Sequence, residues 1–88
     1  MVCLLAEGNY IEICTRDGKK LLLRETMSRL EARLDPAHFF RASRSAFVNL
    51  AQLKEILSEG QSGHVLIMSN GEKIRLTASF EDLQKRLR

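Results

Sequence analysis

A mainly β chain with short helices, arranged as small antiparallel sheets, is what this sequence predicts, on three observations. Asp17-Gly18 and Asn70-Gly71 each separate two runs of strand-forming residues, the strongest short-range signal of a β-hairpin. Two short stretches, beginning near Thr26 and at Ser79, carry apolar residues at helical spacing. With 88 residues, 44% of them apolar, the chain has material for one domain over residues 1–88 and one modest core.

The elements follow in order. Asn9 to Thr15 and Lys19 to Arg24 form the first hairpin. A two-residue turn at Asp17-Gly18 sets Ile13 opposite Leu22 and Cys14 opposite Leu21, so both faces of that ribbon are partly apolar and need cover. Met27, Leu30 and Leu34 make one helical stripe, with Thr26 or Ser28 as its cap and Asp35-Pro36 as its stop. Phe39 to Leu50 fits neither periodicity and reads as a loop with aromatic anchors. Leu53, Ile56 and Leu57 suggest a strand that ends before the Gly60-Gln61-Ser62-Gly63 turn.

The second hairpin joins His64 to Ser69 with Glu72 to Thr77 through Asn70-Gly71. A two-residue turn there pairs Ile67 with Ile74 and Val65 with Leu76 as a core face. It leaves Met68 with Lys73, Leu66 with Arg75 and His64 with Thr77 on a partly basic face. Ser79 caps a final helix whose stripe is Phe80, Leu83 and Leu87, and Lys85, Arg86 and Arg88 suit its C-terminal dipole.

Composition narrows the function. Fourteen Lys and Arg against eleven Asp and Glu give +3 at pH 7, a mild excess that permits an anionic partner. Cys3 and Cys14, with two histidines, cannot supply the ligand repeats of a structural zinc and read as reduced core residues of a cytoplasmic protein. No apolar run approaches a membrane span, so no membrane partner is expected. Neither Gly-x-Gly-x-x-Gly nor Gly-x-x-x-x-Gly-Lys-Ser/Thr occurs. Ser43, Ser45, His38 and His64 form no catalytic pattern, which points away from an enzyme and from any cofactor.

The block from Phe39 to Leu50 sets Arg41 and Arg44 among Ser43, Ser45 and Asn49, between apolar anchors. Guanidinium forks bind phosphate oxygens or guanine O6 and N7 in pairs, and short polar side chains reach a sugar-phosphate backbone at close range. A solvated basic loop with Arg41 paired to Glu31 or Asp35 fits the same residues.

That block, Phe39-Phe40-Arg41-Ala42-Ser43-Arg44-Ser45-Ala46-Phe47-Val48-Asn49-Leu50, resembles the LytTR-type DNA-binding signature F-F-R-x-H-R-S-x-x-V-N. Ala6-Glu7-Gly8-Asn9-Tyr10-Ile11 is similar to the family's A-E-G-N-Y-V segment. Leu30 to Leu34 match its L-x-x-x-L helix, and the two turns fall in the family's order. The resemblance implies an elongated, mostly β module that serves as the output domain of bacterial transcriptional regulators, response regulators of two-component systems among them. It also implies loops rather than a recognition helix in successive major grooves of double-stranded DNA.

Carried over position by position, DNA contacts fall on Asn9 and Tyr10, on Arg41, Ser43, Arg44 and Ser45, on Arg75, Thr77 and Ser79, and on His64. Structural roles compete at several of these: a core aromatic for Tyr10, a turn residue for Asn9, a helix cap for Ser79. Asn49 reads as a residue that ties its own loop. The chain departs from the pattern with Ser43 in place of the usual His and with Thr77-Ala78-Ser79 in place of Ser and a basic residue. It also begins where the family already has one or two strands, which would leave a sheet edge open. The resemblance allows a homodimer on direct repeats and a receiver or sensor domain in a longer parent chain. The alternative function is a protein-interaction or dimerisation module whose DNA-reading loops have degenerated.

Overall fold

The computed structural model describes residues 1–87, so Arg88, read above as a dipole partner of the last helix, lies outside the described residues. Eight strands and two short helices follow one another. They are β1 (Cys3–Glu7), β2 (Tyr10–Cys14), β3 (Lys20–Leu23), α1 (Met27–Arg33), β4 (Phe39–Ser43), β5 (Ala46–Asn49), β6 (Leu53–Ser58), β7 (His64–Met68), β8 (Lys73–Leu76) and α2 (Phe80–Arg86). They build a five-stranded sheet in the order β3-β2-β1-β5-β4 and a three-stranded sheet β6-β7-β8, with all pairs antiparallel. The molecule measures 35 × 26 × 24 Å.

The larger sheet is covered on both faces, and this explains the first strand. On one face Cys3, Cys14, Val48 and Phe40 pack against Leu66, Met68, Ile74 and Leu76 of the smaller sheet and against Leu83 of α2. On the other face Leu4, Ile11 and Phe47 lie beneath Leu30 of α1. β1 occupies the middle, so the apolar run Val2-Cys3-Leu4 shows no alternation because both its sides are buried. The hairpin predicted from Asn9 to Arg24 does not include this strand, because no alternation marks it. Cys3 and Cys14 sit opposite each other, both buried and unbridged, and burial pushes both thiols above their ordinary range.

Both Xaa-Gly turns correct the expected register. Thr15 N–H donates to the Lys19 carbonyl at 3.0 Å, so the loop is the three residues Arg16-Asp17-Gly18. Met68 N–H donates likewise to Glu72 at 2.9 Å around Ser69-Asn70-Gly71. A two-residue turn of the expected kind needs positive φ at both central residues, yet only the glycines have it, Gly18 at +84° and Gly71 at +90°.

The pairs therefore shift by one. Ile13 faces Leu21 and Cys14 faces Lys20, while Leu66 faces Ile74 and His64 faces Leu76. In the second hairpin this exchanges the faces: Leu66, Met68, Ile74 and Leu76 are core, whereas Val65, Ile67, Lys73 and Arg75 turn the other way. A true two-residue turn does occur, at Gly8-Asn9 between β1 and β2, where Gly8 alone takes positive φ, +61°.

Both helix starts fall where the sequence predicts them, whereas Leu87, expected on the apolar stripe of α2, is its exposed C-cap. The Thr26 side chain accepts from Arg29 N–H at the start of α1, and Ser79 accepts from Asp82 N–H at the start of α2. Asn49 ties its own surroundings, with Nδ2 donating to the Met1 carbonyl and Oδ1 accepting from Ala51 N–H. Among the described residues no helix is long and apolar enough to cross a membrane.

Candidate nucleic-acid interface

The signature block is a hairpin, not the loop expected from its mixed pattern. Ala42, Ala46, Phe47 and Val48 are buried, which pins β4 and β5 to the core. Only Arg44 and Ser45 project as the turn. The strand register shifts between Arg41 and Ser43, a bulge that frees the Ala42 carbonyl to leave the ladder. That carbonyl accepts from Thr77 N–H at 2.9 Å and from Ala78 N–H at 3.1 Å, clamping the end of β8 to the hairpin.

The other carbonyls of the turn are held as well. Arg41 donates through Nε to the Ser43 carbonyl at 3.3 Å and through Nη2 to the Arg44 carbonyl at 2.9 Å. Ala6 N–H donates to the Ser45 carbonyl at 2.8 Å. The Ser43 hydroxyl accepts from Ser45 N–H across the turn. With its carbonyls held, the turn leaves two side chains exposed, and the Arg44 guanidinium has no hydrogen bond or ion pair among the described residues.

Strand directions gather the remaining residues. β1 pairs with β2 and with β5, both antiparallel, so the Gly8-Asn9 turn and the Arg44-Ser45 turn lie at one end of the larger sheet. β8 ends beside them at Thr77, and the β6–β7 turn is brought there by the pairing of His64 with Leu76. Ser43, Arg44, Ser45, Lys73, Arg75 and Thr77 line one open groove floored by Leu5, Ala46 and Ile74. Asn9 is exposed at the same end but opens onto a neighbouring hollow beside Arg24 and the front of α1. Tyr10 is exposed, which removes the core-aromatic reading.

Other expected contacts are engaged internally. Arg41 pairs with Glu31 at 2.6 Å, the partner foreseen as its alternative role, and stands 5.5 Å from the Phe47 ring. Arg75 donates to Glu59 at 3.0 Å and to the Ser62 carbonyl at 2.8 Å, although its side chain remains half-exposed. Ser79 is exposed, with its hydroxyl accepting at the α2 cap. His64 stacks on Phe80, with ring centroids 4.0 Å apart and planes 6° from parallel. It lies on the core side of β7, opposite to Arg75, so the shared basic face expected for those two is corrected by the one-residue register shift.

Two cations escaped the sequence reading as site residues. Lys73 lines the groove beside Arg44, and Arg24 lines the hollow beside Asn9; neither makes an ion pair among the described residues. The signal for Lys73 was present in β8, where Lys73 and Arg75 alternate with buried Ile74 and Leu76. For Arg24, just past an edge strand, no local pattern marks it.

The family model of the LytTr DNA-binding domain matches residues 2–87 of this chain. Transcriptional regulatory protein LytR of Staphylococcus aureus strain MW2 is 32% identical over 85 residues, which cover 88% of this chain and 35% of that protein. LytR of strain N315 is 31% identical over 85 residues with the same shares. The chain thus spans about a third of the length of these relatives. A solved LytTr DNA-binding domain from Bacillus cereus superposes with a TM-score of 0.81 at 23% identity, covering 98% of this chain and 78% of that one. The likeness is one of fold.

Proposed function

This chain belongs to the LytTR DNA-binding domain family, and from that premise we propose that it reads specific double-stranded DNA in the major groove with the turns at one end of its larger sheet, as the output domain of a bacterial transcriptional regulator. The observation that carries this reading is Arg44, an unpaired guanidinium on a turn whose carbonyls are fixed from outside. A fork so held can meet guanine O6 and N7 as a bidentate pair. Lys73 and Arg75 neutralise phosphates and release counterions, which supplies affinity without sequence information. Ser45, Thr77, Asn9 and Tyr10 add exposed polar groups at the same end.

Arg75 must exchange Glu59 for phosphate. An exposed ion pair is worth at most about 1 kcal/mol, so the exchange is cheap. Arg44→Ala is expected to cost about 1–3 kcal/mol on a duplex selected by the wild type from a random pool, and little on a scrambled duplex. Equal losses on both duplexes would falsify the base-reading role. Arg75→Ala should weaken both duplexes alike and flatten the salt slope by about one.

One observation favours a second reading. β3 is an edge strand whose Leu21, Leu22 and Leu23 are 56%, 65% and 40% exposed, and an unblunted edge is a template for strand addition. Pairing of two copies along β3 would make the domain a self-association module. Sedimentation at rising concentration without DNA decides it: a dimer abolished by Leu22→Lys, together with no salt-dependent duplex binding, supports this reading against the first.

A further inference from the structure

Resting on the DNA-binding reading, we infer that Arg41 is a positioning residue for the reading turn, driven by Glu31 of α1, and not itself a DNA contact. All three of its donating nitrogens are committed inside the molecule. Nε holds the Ser43 carbonyl, Nη2 holds the Arg44 carbonyl, and Nη1 meets Glu31 at 2.6 Å. The guanidinium plane stands over Phe47, and the side chain is only 34% exposed.

The two carbonyls it holds flank the Ser43–Arg44 and Arg44–Ser45 peptides, so the fork fixes the segment from which the Arg44 side chain departs. A planar fork can span two carbonyls and a carboxylate at once; an ammonium, a single point of charge, cannot. Glu31 fixes the fork in turn. The path from α1 to the reading turn is therefore two side chains long, and both lie on the α1 side of the larger sheet.

Electrostatics alone makes the opposite prediction for Glu31. Removing an acidic group from a DNA-binding domain should strengthen binding to any duplex, because less like charge faces the phosphates. Removing a positioning group should instead lower discrimination between duplexes. The sign of the Glu31 effect separates the two.

The test measures affinity and salt slope for Arg41→Ala, Arg41→Lys and Glu31→Gln on a duplex selected by the wild type and on a scrambled duplex, beside the melting midpoint of each variant. The expected result for Arg41→Ala is a cognate-to-scrambled ratio about tenfold lower at an unchanged salt slope, with no rescue by Arg41→Lys. For Glu31→Gln it is a smaller fall in the same ratio, with unbound amide resonances of residues 43–45 shifted as in Arg41→Ala.

A salt slope lower by about one in Arg41→Ala and restored in Arg41→Lys overturns the inference, since a point charge on phosphate behaves that way. If Arg41→Ala fails to fold, Glu31→Gln decides: tighter binding to both duplexes at an unchanged ratio overturns the inference as well. A wild type that binds both duplexes equally removes the DNA reading first, and positioning with it. The two failures are thereby distinguishable.

Discussion

Two hairpins of the same sheet are built on opposite terms. The β4–β5 turn has the carbonyls of residues 42–45 held by Thr77, Ala78, Arg41 and Ala6, and its strands bury Ala42, Phe47 and Val48. The β2–β3 ribbon ends in a free edge, where all four residues of β3 are exposed. Its end is anchored by Asn70 Nδ2 on the Thr15 carbonyl and by Lys20 between Glu12 and Glu72. The difference teaches where geometry is fixed. Main-chain acceptors satisfied from several separate elements hold a turn in one conformation, whereas apolar surface left on an edge contributes little to holding anything.

Substitutions can break that contrast. The largest expected effect is Phe47→Ala, which opens a cavity beneath α1 in a strand of the held hairpin and should cost about 3–5 kcal/mol in denaturant unfolding. Leu22→Ala on the edge should stay within about 0.5 kcal/mol. Comparable losses would mean that the edge is packed in solution and the contrast is false.

Glu59→Gln comes next. It releases Arg75 and removes an acidic group from the groove end, and it should tighten duplex binding by about 1 kcal/mol or less, most clearly at low salt. Weaker binding would mean that Glu59 orients Arg75 for phosphate.

The smallest effect concerns acid. The Thr15 hydroxyl holds the Asp17 carboxyl below its ordinary range, and Ala37 N–H does the same for Asp35. A carboxyl depressed in the folded state stabilises above its unfolded pKa and loses that contribution as pH falls through the folded one. Melting midpoints followed from neutral pH into the acid range should therefore fall less steeply in Asp17→Asn than in the wild type. An identical pH profile would show that the β2–β3 turn contributes nothing through this carboxylate.

Much of the fold was legible from residues. Thr26 and Ser79 marked both helix starts, Asp35-Pro36 marked a stop, and Phe39 to Leu50 carried the family resemblance. Turn length was not legible. Asp17-Gly18 and Asn70-Gly71 announce a glycine at positive φ, but they do not say whether the preceding residue is also left-handed, and one residue decides which side of a strand is core. In the second hairpin the answer was recoverable from β8. Pairing Leu66 with Ile74 gathers Leu66, Met68, Ile74 and Leu76 on one side and leaves Lys73 and Arg75 on the other, whereas a two-residue turn would set those two cations beside Leu66 and Met68.

Of the residues expected to touch DNA, Arg44 and Ser45 stand exposed on their turn, as such a role requires. The ring of His64 is instead stacked on Phe80, a partner sixteen positions away that no local pattern reveals. The pairing of Arg41 with Glu31 was foreseeable as an option, but its grip on two carbonyls depends on a bulge that appears only once β4 and β5 are in register.

The grip on the turn consists of main-chain acceptors at residues 42–45 and donors drawn from elsewhere in the molecule, so the identities of Arg44 and Ser45 are written into none of it. Residues 44 and 45 can therefore change without loss of the contacts that hold the turn. A library randomised at those two positions alone would vary what the turn presents to solvent while its scaffold stays the same.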